Sequence, residues 1–257
     1  MRKNVISRAA QKEEHPMKSN WLLAAVLCLP AGALAQDSVP AGTILPVSLD
    51  QSLNAAKVHA GQAIRAEVMQ DVPGTDIRRR ARVVGQVVQA GDGGNGQSNL
   101  EIRFDGVEIH GKMVAIRTSL RALASLVEVQ AAQMPTIMSD RGMTPETWPT
   151  EQIGGDQVYR GGGPVAEGDT PVGSITPWGA LGVPRAQSGE SCRGVVADNS
   201  RPQAMWLFSV DACGAYGLPD IHIDHYGRYD AMGTIVLSSK NGKLKLGNGS
   251  AMLLRVS

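Results

Sequence analysis

Aromatic residues are scarce in this 257-residue chain, where they make up 4% of the sequence, and there are only three cysteines. No apolar run reaches the roughly 20 residues that a membrane-spanning helix requires. No stretch longer than three turns has a convincing helical periodicity. The chain instead has 30 glycines and 14 prolines, which predict many turns. These features favour a β-rich protein with long loops.

Residues 1–35 have the organisation of a secretory signal peptide. A short basic region begins at Met17, the apolar run Trp21–Leu29 follows, and small residues up to Ala35 suit a cleavage site. Cleavage there would make Gln36 the first residue of the mature chain. The polar segment before Met17 favours Met17 as the true start, and a retained N-terminal anchor helix is the alternative interpretation. The signal peptide predicts a periplasmic or secreted protein.

Net charge argues against a nucleic-acid partner. Residues 1–35 contain five of the 25 Lys and Arg and two of the 24 Asp and Glu, so the remainder has a net charge of −2. Nucleic-acid binding requires a basic footprint, which this balance does not provide. The dense basic run at Arg78–Arg80 favours a solvated loop over a phosphate site.

Two cysteines, Cys192 and Cys213, lie outside the predicted signal peptide. An even pair in an exported protein predicts a disulfide. The loop that it would close has about 20 residues, and the chain-entropy treatment gives such a loop roughly 3 kcal/mol of stabilisation. A free-thiol nucleophile is the alternative.

Hydrophobic periodicity divides the rest of the chain into three blocks. Residues 36–133 contain the segments GTILPVSLD, AIRAEVMQ and NLEIRF, whose period of two predicts strands. Residues 134–190 are rich in Gly, Pro and Thr and predict an insert or linker with a short hairpin at DQVYR. Residues 191–257 are β-rich again. We therefore expect a mainly β fold, an antiparallel barrel or sandwich with a long Gly/Pro-rich loop insertion, in which the two β blocks share one core.

Four local patterns give narrower predictions. DGVEIHGKMVAI contains either a hairpin turn at Asp105–Gly106 or a bulge at Gly106 followed by a turn at His110–Gly111, and we favour the bulge. LRALASLVEVQAAQ suits a helix and a strand equally well. AMWLFSVD has apolar residues on both faces and predicts a buried central strand. GTIVLSSKNGKLKL predicts a hairpin that turns at Asn241–Gly242.

The segment FSVDACGAYGLPDIHIDHYG, residues 208–227, is the densest in chemically active side chains. His222, Asp224 and His225 form an H-x-D-H cluster, and imidazole and carboxylate ligands suit zinc, copper or iron. On a strand, His222 and Asp224 would lie on one face and His225 on the other, so three converging ligands would require a turn.

Two other interpretations of this segment remain open. In the structural one, Cys213 ties a core strand to Cys192 and a short strand follows, with Ile221 and Ile223 inward. In the binding one, the segment lines a surface ligand groove with three tyrosines, Tyr216, Tyr226 and Tyr229.

The first β block resembles the start of the C-terminal β-barrel domain of TrbI-like conjugal-transfer channel proteins. The matching residues are Gly42-Thr43-Ile44, Gly61, Ile64, Ala66, Val68, Asp71-Val72 and Val84-Gly85. A later family segment, D-x-x-G-x-x-G-x-x-D-x-H, is similar to Asp211, Gly214, Gly217, Asp220 and His222. The chain also resembles exported bacterial β-rich proteins that share WLFSVDACGAYG and SAMLLRV and have no assigned activity. These resemblances imply a β-barrel fold and no particular chemistry.

Together, the patterns predict a non-enzymatic, exported β-module of the bacterial cell envelope with a structural or protein-interaction role. Exposed strand edges would be its natural docking surfaces, and envelope proteins its partners. The alternatives are a metal-dependent hydrolase centred on the H-x-D-H cluster and a carbohydrate- or peptide-binding module. No cofactor is expected other than a metal at that cluster.

Overall fold

The architecture was obtained from a computed structural model, which describes residues 38–94, 96–136, 149–155, 157–159, 161–167, 169–185, 201–224 and 233–257. These residues form mainly β-strands, as the sequence predicts. In chain order the elements are β1 (Ile44–Leu49), β2 (Leu53–Asn54), β3 (Ala63–Val68), β4 (Arg82–Gly94), β5 (Gln97–Ile109), β6 (Lys112–Ala115), β7 (Thr118–Ala124), α1 (Leu126–Ala131), β8 (Pro149–Glu151), β9 (Gln157–Tyr159), β10 (Pro164–Glu167), β11 (Thr170–Thr176), β12 (Gly179–Gly182), β13 (Gln203–Ala204), β14 (Gly214–Tyr216), β15 (Ile221–Ile223), β16 (Ile235–Ser239), β17 (Lys245–Leu246) and β18 (Ala251–Val256).

Ten of these strands form one sheet that curls into a nearly closed barrel. Its order is β14-β7-β18-β1-β3-β4-β5-β16-β15, and β6 pairs with the second half of β5. All of its ladders are antiparallel except the one between β14 and β7. The predicted barrel-like β fold is therefore confirmed.

The barrel interior is filled by the inward-facing residues of these strands. In β3, Ile64, Ala66 and Val68 are buried, whereas Ala63 and Arg65 are exposed, which is the alternation that the sequence shows. Met252 and Leu254 of β18 join the same apolar cluster as Leu100 and Ile102 of β5. Residues from both β blocks thus contribute to one core.

The favoured interpretation of DGVEIHGKMVAI is confirmed. β5 continues through Gly106 to Ile109, and the chain turns at His110 and Gly111, whose φ angles are 50° and 75°. The register with β4 shifts at Gly85, which leaves Asp105, one residue before the predicted Gly106, as the extra, bulged residue. A Cβ at Gly85 would overlap the carbonyl oxygen of Arg103, so glycine is required at this close approach.

A second apolar layer covers the outer face of β1, β7 and β18. Small residues on that face, such as Ala122 and Ala251, pack against Trp206, Phe208 and the Val129 side chain of α1. The segment LRALASLVEVQAAQ supplies both predicted structures, because its first part belongs to β7 and its second part is α1. The helix begins at the N-cap Ser125, whose side chain accepts a hydrogen bond from the Glu128 N–H.

The prediction of a buried strand over AMWLFSVD was wrong in its secondary structure. Residues 205–208 are buried, but they form a turn in which the Phe208 N–H donates to the Met205 carbonyl oxygen. Trp206 has a φ of 51°, which a strand does not allow. The segment is apolar on both faces because it lies between two layers.

A second, six-stranded sheet has the order β13-β12-β11-β10-β9-β8. The expected long Gly/Pro-rich loop is not shown, because most described residues between 149 and 182 are strands of this sheet. The predicted strand in DQVYR is present as β9, which pairs with β8. Some glycines of this region allow close strand packing: a Cβ at Gly179 would lie 2.6 Å from the Cα of Trp206.

The predicted hairpin at Asn241–Gly242 was wrong in its pairing. The chain turns there, with a φ of 66° at Gly242, but β17 pairs with β2 rather than with β16. Both edges of β16 are already occupied, one by β5 and the other by β15. No edge of β16 is left for β17.

Candidate functional site

The described part of the segment 208–227, residues 208–224, connects the two edges of the nearly closed barrel sheet. β14 extends the sheet beyond β7, and β15 extends its opposite end beyond β16. The two terminal strands of the sheet are thus consecutive in sequence and joined by residues 217–220. We call residues 208–224 the strap, because the chain itself connects the two edges.

A buried arginine of β7 holds the strap. Arg121 is the extra residue at a register shift between β7 and β18, where Leu253 pairs with Ala122 and Leu254 with Leu120. Such a bulge re-aims a side chain, here into the space beneath the strap.

The Arg121 guanidinium donates three hydrogen bonds to backbone carbonyl oxygens. Nε donates to Ala212 at 2.9 Å, and Nη2 donates to Val210 at 2.7 Å and to Arg185 at 2.9 Å. Arg121 is 1% exposed, and this burial lowers its pKa to about 10, against a smaller opposing effect of Asp211. All of these bonds go to backbone, while the buried Nη1 has no hydrogen-bond partner among the described residues, and we assign Arg121 a structural role.

Tyr216, the described member of the predicted tyrosine groove, also serves the strap. Its hydroxyl oxygen accepts the Cys213 N–H at 3.0 Å, and its carbonyl oxygen accepts the Ser125 N–H. Partial burial raises the pKa of the Tyr216 hydroxyl. Tyr226 and Tyr229 lie outside the described residues, so the groove of three tyrosines stays a prediction.

The predicted metal cluster is described for two of its three members. His222 and Asp224 lie on the exposed face of the strap as expected, with Nε2 of His222 3.5 Å from Oδ1 of Asp224. His225 lies outside the described residues. Within the part of the chain that the structure describes, no group of three His, Cys, Asp or Glu side chains is placed to hold a metal ion. The H-x-D-H site stays a prediction.

Cys213 lies in the strap and is 9% exposed. Cys192 lies outside the described residues. The pairing of the two cysteines therefore stays a prediction.

Two adjoining surface cavities lie away from the strap, around the turn at residues 72–75. One has a volume of about 340 Å³ and the other of about 370 Å³. They share four lining residues, Pro73, Gly74, Thr75 and Leu181. We call the two cavities together the Trp178 groove. Its remaining lining residues are Gln70, Asp71, Val72, Arg78, Thr176, Pro177 and Trp178 on one side and Pro40, Ala41, Gly42, Thr43, Arg201, Pro202 and Gln203 on the other.

Trp178 is an exposed aromatic side chain in the turn between β11 and β12. The residue is 51% exposed, and the guanidinium carbon of Arg79 lies 4.1 Å from its ring centroid. A cation at this distance from an indole is attracted by the negative face of the ring. Arg79 therefore holds the indole in place from one side.

The groove has a rigid floor. Gln70 is 1% exposed; its Oε1 accepts the Trp206 N–H at 2.7 Å, and its Nε2 donates to Thr176 Oγ1 at 3.2 Å. The adjacent turn is held by Thr75, whose Oγ1 donates to the Val72 carbonyl oxygen at 2.9 Å. These bonds fix the relative positions of the two sheets at the groove.

Charge in the groove is mainly positive. Its lining includes two arginines, Arg78 and Arg201, and one carboxylate, Asp71. Asp71 is engaged within the protein, because its Oδ1 accepts the Arg79 N–H at 2.7 Å. Arg78 lies 4.0 Å from Asp71 and 3.9 Å from Asp76, distances at which exposed ion pairs are weak.

A larger cavity, of about 500 Å³, lies where β5 changes its pairing partner from β16 to β6. Its charged side chains include Arg103 and Asp105, which pair with each other at 2.9 Å. The aromatic residue on it, Phe104, is buried. With Arg117 this cavity has two arginines and one carboxylate side chain in its lining, the same balance as the Trp178 groove, so the Trp178 groove is the better candidate because of its exposed aromatic ring.

Sequence analysis missed this groove. The run Arg78–Arg80 was predicted to be a solvated loop, and TPWGALG fell in the segment that was expected to be irregular. The sequence did contain one indication of an exposed aromatic side chain, a tryptophan between a proline and a glycine. Proline and glycine favour a turn, and an aromatic residue in a turn is seldom fully buried.

Compared with known proteins, the chain matches no family model, no curated sequence and no solved structure. Among the described residues, no helix has the length and apolarity that a membrane span requires.

Proposed function

We propose that the protein is a non-enzymatic, exported module of the bacterial cell envelope that docks a partner protein in the Trp178 groove. The groove itself is the observation that carries the proposal. It combines an exposed indole with an apolar lining and a rigid floor. Exposed aromatics and arginines are the residue types that contribute most to protein interfaces.

The proposed location rests on the sequence. The signal-peptide pattern of residues 1–35 supports a periplasmic or secreted protein, and the Cys192–Cys213 disulfide would suit that oxidising environment. The buried position of Cys213 in the strap supports a structural bond rather than a reactive thiol. The resemblance to the barrel domain of TrbI-like proteins adds an envelope context and stays a prediction.

Site-specific photo-crosslinking tests the docking proposal. A photoreactive phenylalanine analogue replaces Trp178 in one variant and Tyr159 in a control. Tyr159 is suitable because it is an exposed aromatic residue of the same sheet, 62% exposed on β9, and does not line the groove. We expect a discrete adduct in the envelope fraction from position 178, absent from position 159 and competed by excess wild-type protein.

Two outcomes would contradict the proposal. One is the absence of any adduct from position 178 while the variant is folded and exported. The other is the same adduct pattern from positions 178 and 159, because a non-specific surface contact would not distinguish the two sheet positions.

A further inference from the structure

Four exposed prolines surround the Trp178 groove. Pro40, Pro73 and Pro202 line one cavity, and Pro73 and Pro177 line the other. Leu181 lies between the two cavities, and Trp178 borders one of them. Proline rings have fixed backbone angles, so these walls lose little conformational freedom when a ligand binds.

A groove walled by proline and indole rings suits one kind of ligand best. Segments in the polyproline II conformation dock in aromatic-lined grooves, where their proline rings pack against flat apolar surfaces. Such segments are extended before binding and have no internal hydrogen bonds, so ordering them costs little.

The charges of the groove select among such segments. Arg78 and Arg201 lie in the two different cavities and outnumber the groove's one carboxylate, Asp71, so the lining carries one net positive charge. A ligand that places carboxylates along its length would meet a cation in each cavity. A basic ligand would meet like charges instead.

We infer that the Trp178 groove binds an extended, proline-containing acidic segment of a partner protein. This inference rests on the proposed function and specifies the chemistry of the partner. A peptide fits better than a saccharide because sugar recognition needs side-chain amides and carboxylates directed at hydroxyl groups. Here the Gln70 amide bonds Trp206 and Thr176, the Gln203 amide bonds Ile44 and Arg201, and one face of Trp178 is covered by Arg79.

Fluorescence anisotropy of labelled peptides tests the inference on the purified protein. The probe is a peptide of Glu-Pro-Pro repeats. A Lys-Pro-Pro peptide of equal length reverses its charge, and a Glu-Gly-Gly peptide removes its preformed extended conformation. We expect the first peptide to bind at least about tenfold more tightly than either of the others.

Variants connect that binding to the groove. Trp178→Ala should weaken binding of the Glu-Pro-Pro peptide by about tenfold or more, as truncation of a central aromatic does. The double variant Arg78→Gln/Arg201→Gln should weaken it and reduce its dependence on salt, because two charge contacts are lost. Tyr159→Ala is the matched control and should leave the affinity unchanged.

Equal affinities for the three peptides, or an unchanged affinity in Trp178→Ala, would overturn the inference. Binding of an oligosaccharide that Trp178→Ala abolishes, with no binding of the Glu-Pro-Pro peptide, would replace it with a sugar-binding site. The crosslinking experiment distinguishes a failure of the proposed ligand chemistry from a failure of the docking proposal. A specific adduct at position 178 without peptide binding refutes only the ligand chemistry, whereas loss of both refutes the docking proposal as well.

Discussion

Nε of Arg121 donates a hydrogen bond to the carbonyl oxygen of Ala212 at 2.9 Å, across 91 residues of sequence. The two residues connect the bulge in β7 to the strap that joins the ends of the barrel sheet. Because Arg121 is fully buried, its charge is stabilised by the carbonyl oxygens to which it donates. Those oxygens in turn rely on Arg121 for a hydrogen-bond donor.

Replacing Arg121 with Met should destabilise the protein by about 3 kcal/mol, since three backbone carbonyl oxygens, two of them buried, would each lose a donor. Urea-induced unfolding followed by circular dichroism measures this loss. Arg65→Met on the exposed face of β3 is the control, and it should change stability by no more than about 0.5 kcal/mol. If both variants are as stable as the wild type, Arg121 does not hold the strap.

The free energy of unfolding should fall at high pH, because the partly buried hydroxyl of Tyr216 loses its proton there. Its pKa is raised in the folded state by burial, so the folded state binds this proton more tightly than the unfolded chain. The corresponding stabilisation is complete below about pH 10, the ordinary tyrosine value, and is lost as the pH rises through the raised pKa. The measurement is the free energy of unfolding against pH for the wild type and Tyr216→Phe.

The difference between these two curves reports Tyr216 together with its electrostatic coupling to Arg121, which is present in both proteins. Burial lowers the pKa of Arg121 to about 10, which makes its own contribution rise with pH over the same range. At neutral pH, Tyr216→Phe should cost about 1 kcal/mol, because the Cys213 N–H loses its acceptor. A constant difference from neutral pH to pH 12 would contradict the raised pKa.

Gly179→Ala should destabilise the protein by about 1–3 kcal/mol, because the new methyl group would be forced against the backbone of Trp206. Thermal unfolding of the variant measures the loss. Gly247→Ala is the matched control: the nearest atom to its Cβ would be Ser250 Oγ at 3.8 Å, an ordinary contact. Equal melting temperatures for the two variants would show that the sheets can separate at Gly179 without cost.

The predicted disulfide should be visible in a peptide map under non-reducing conditions as a linked pair containing Cys192 and Cys213. Reduction should lower the free energy of unfolding by roughly 3 kcal/mol, as for a closed loop of about 20 residues. Two thiols that react with a thiol reagent in the unfolded, unreduced protein would rule the bond out.

Trp178→Ala should fold normally, with a loss of only about 0.5–1 kcal/mol from the broken contact with Arg79. Urea unfolding beside Tyr159→Ala provides the comparison. A loss of several kcal/mol in Trp178→Ala would mean that the indole is part of the fold, and its effect on binding could then not be assigned to the groove.

Alternation along the sequence predicted the long strands because the environment of those strands is simple. β3 and the first part of β5 have one face in the barrel and one in solvent, so their apolar residues recur at every second position. The secondary-structure prediction was wrong where other parts of the protein cover a segment on both sides. Residues 205–208 are apolar on all sides because they are covered from two directions, and such burial does not distinguish a strand from a turn.

The candidate site was harder to predict because it depends on chain segments that are far apart. Lining residues from the segment 70–78 share a cavity with Trp178 and Leu181. The Gln70 side chain connects the two parts of the chain, because its amide donates to Thr176 Oγ1. Nothing in the local pattern of either segment indicates this proximity. Arg121 illustrates the same limit: its position in an apolar strand was visible, but its carbonyl partners are contributed by residues 185–212.

The position of β18 has a consequence for the order of folding. It is the final strand of the described chain, yet it lies between β1 and β7 in the middle of the barrel sheet. During synthesis, about 200 residues are added after β1 before its neighbour β18 exists. The sheet therefore cannot assemble progressively from one end, and we expect it to form slowly.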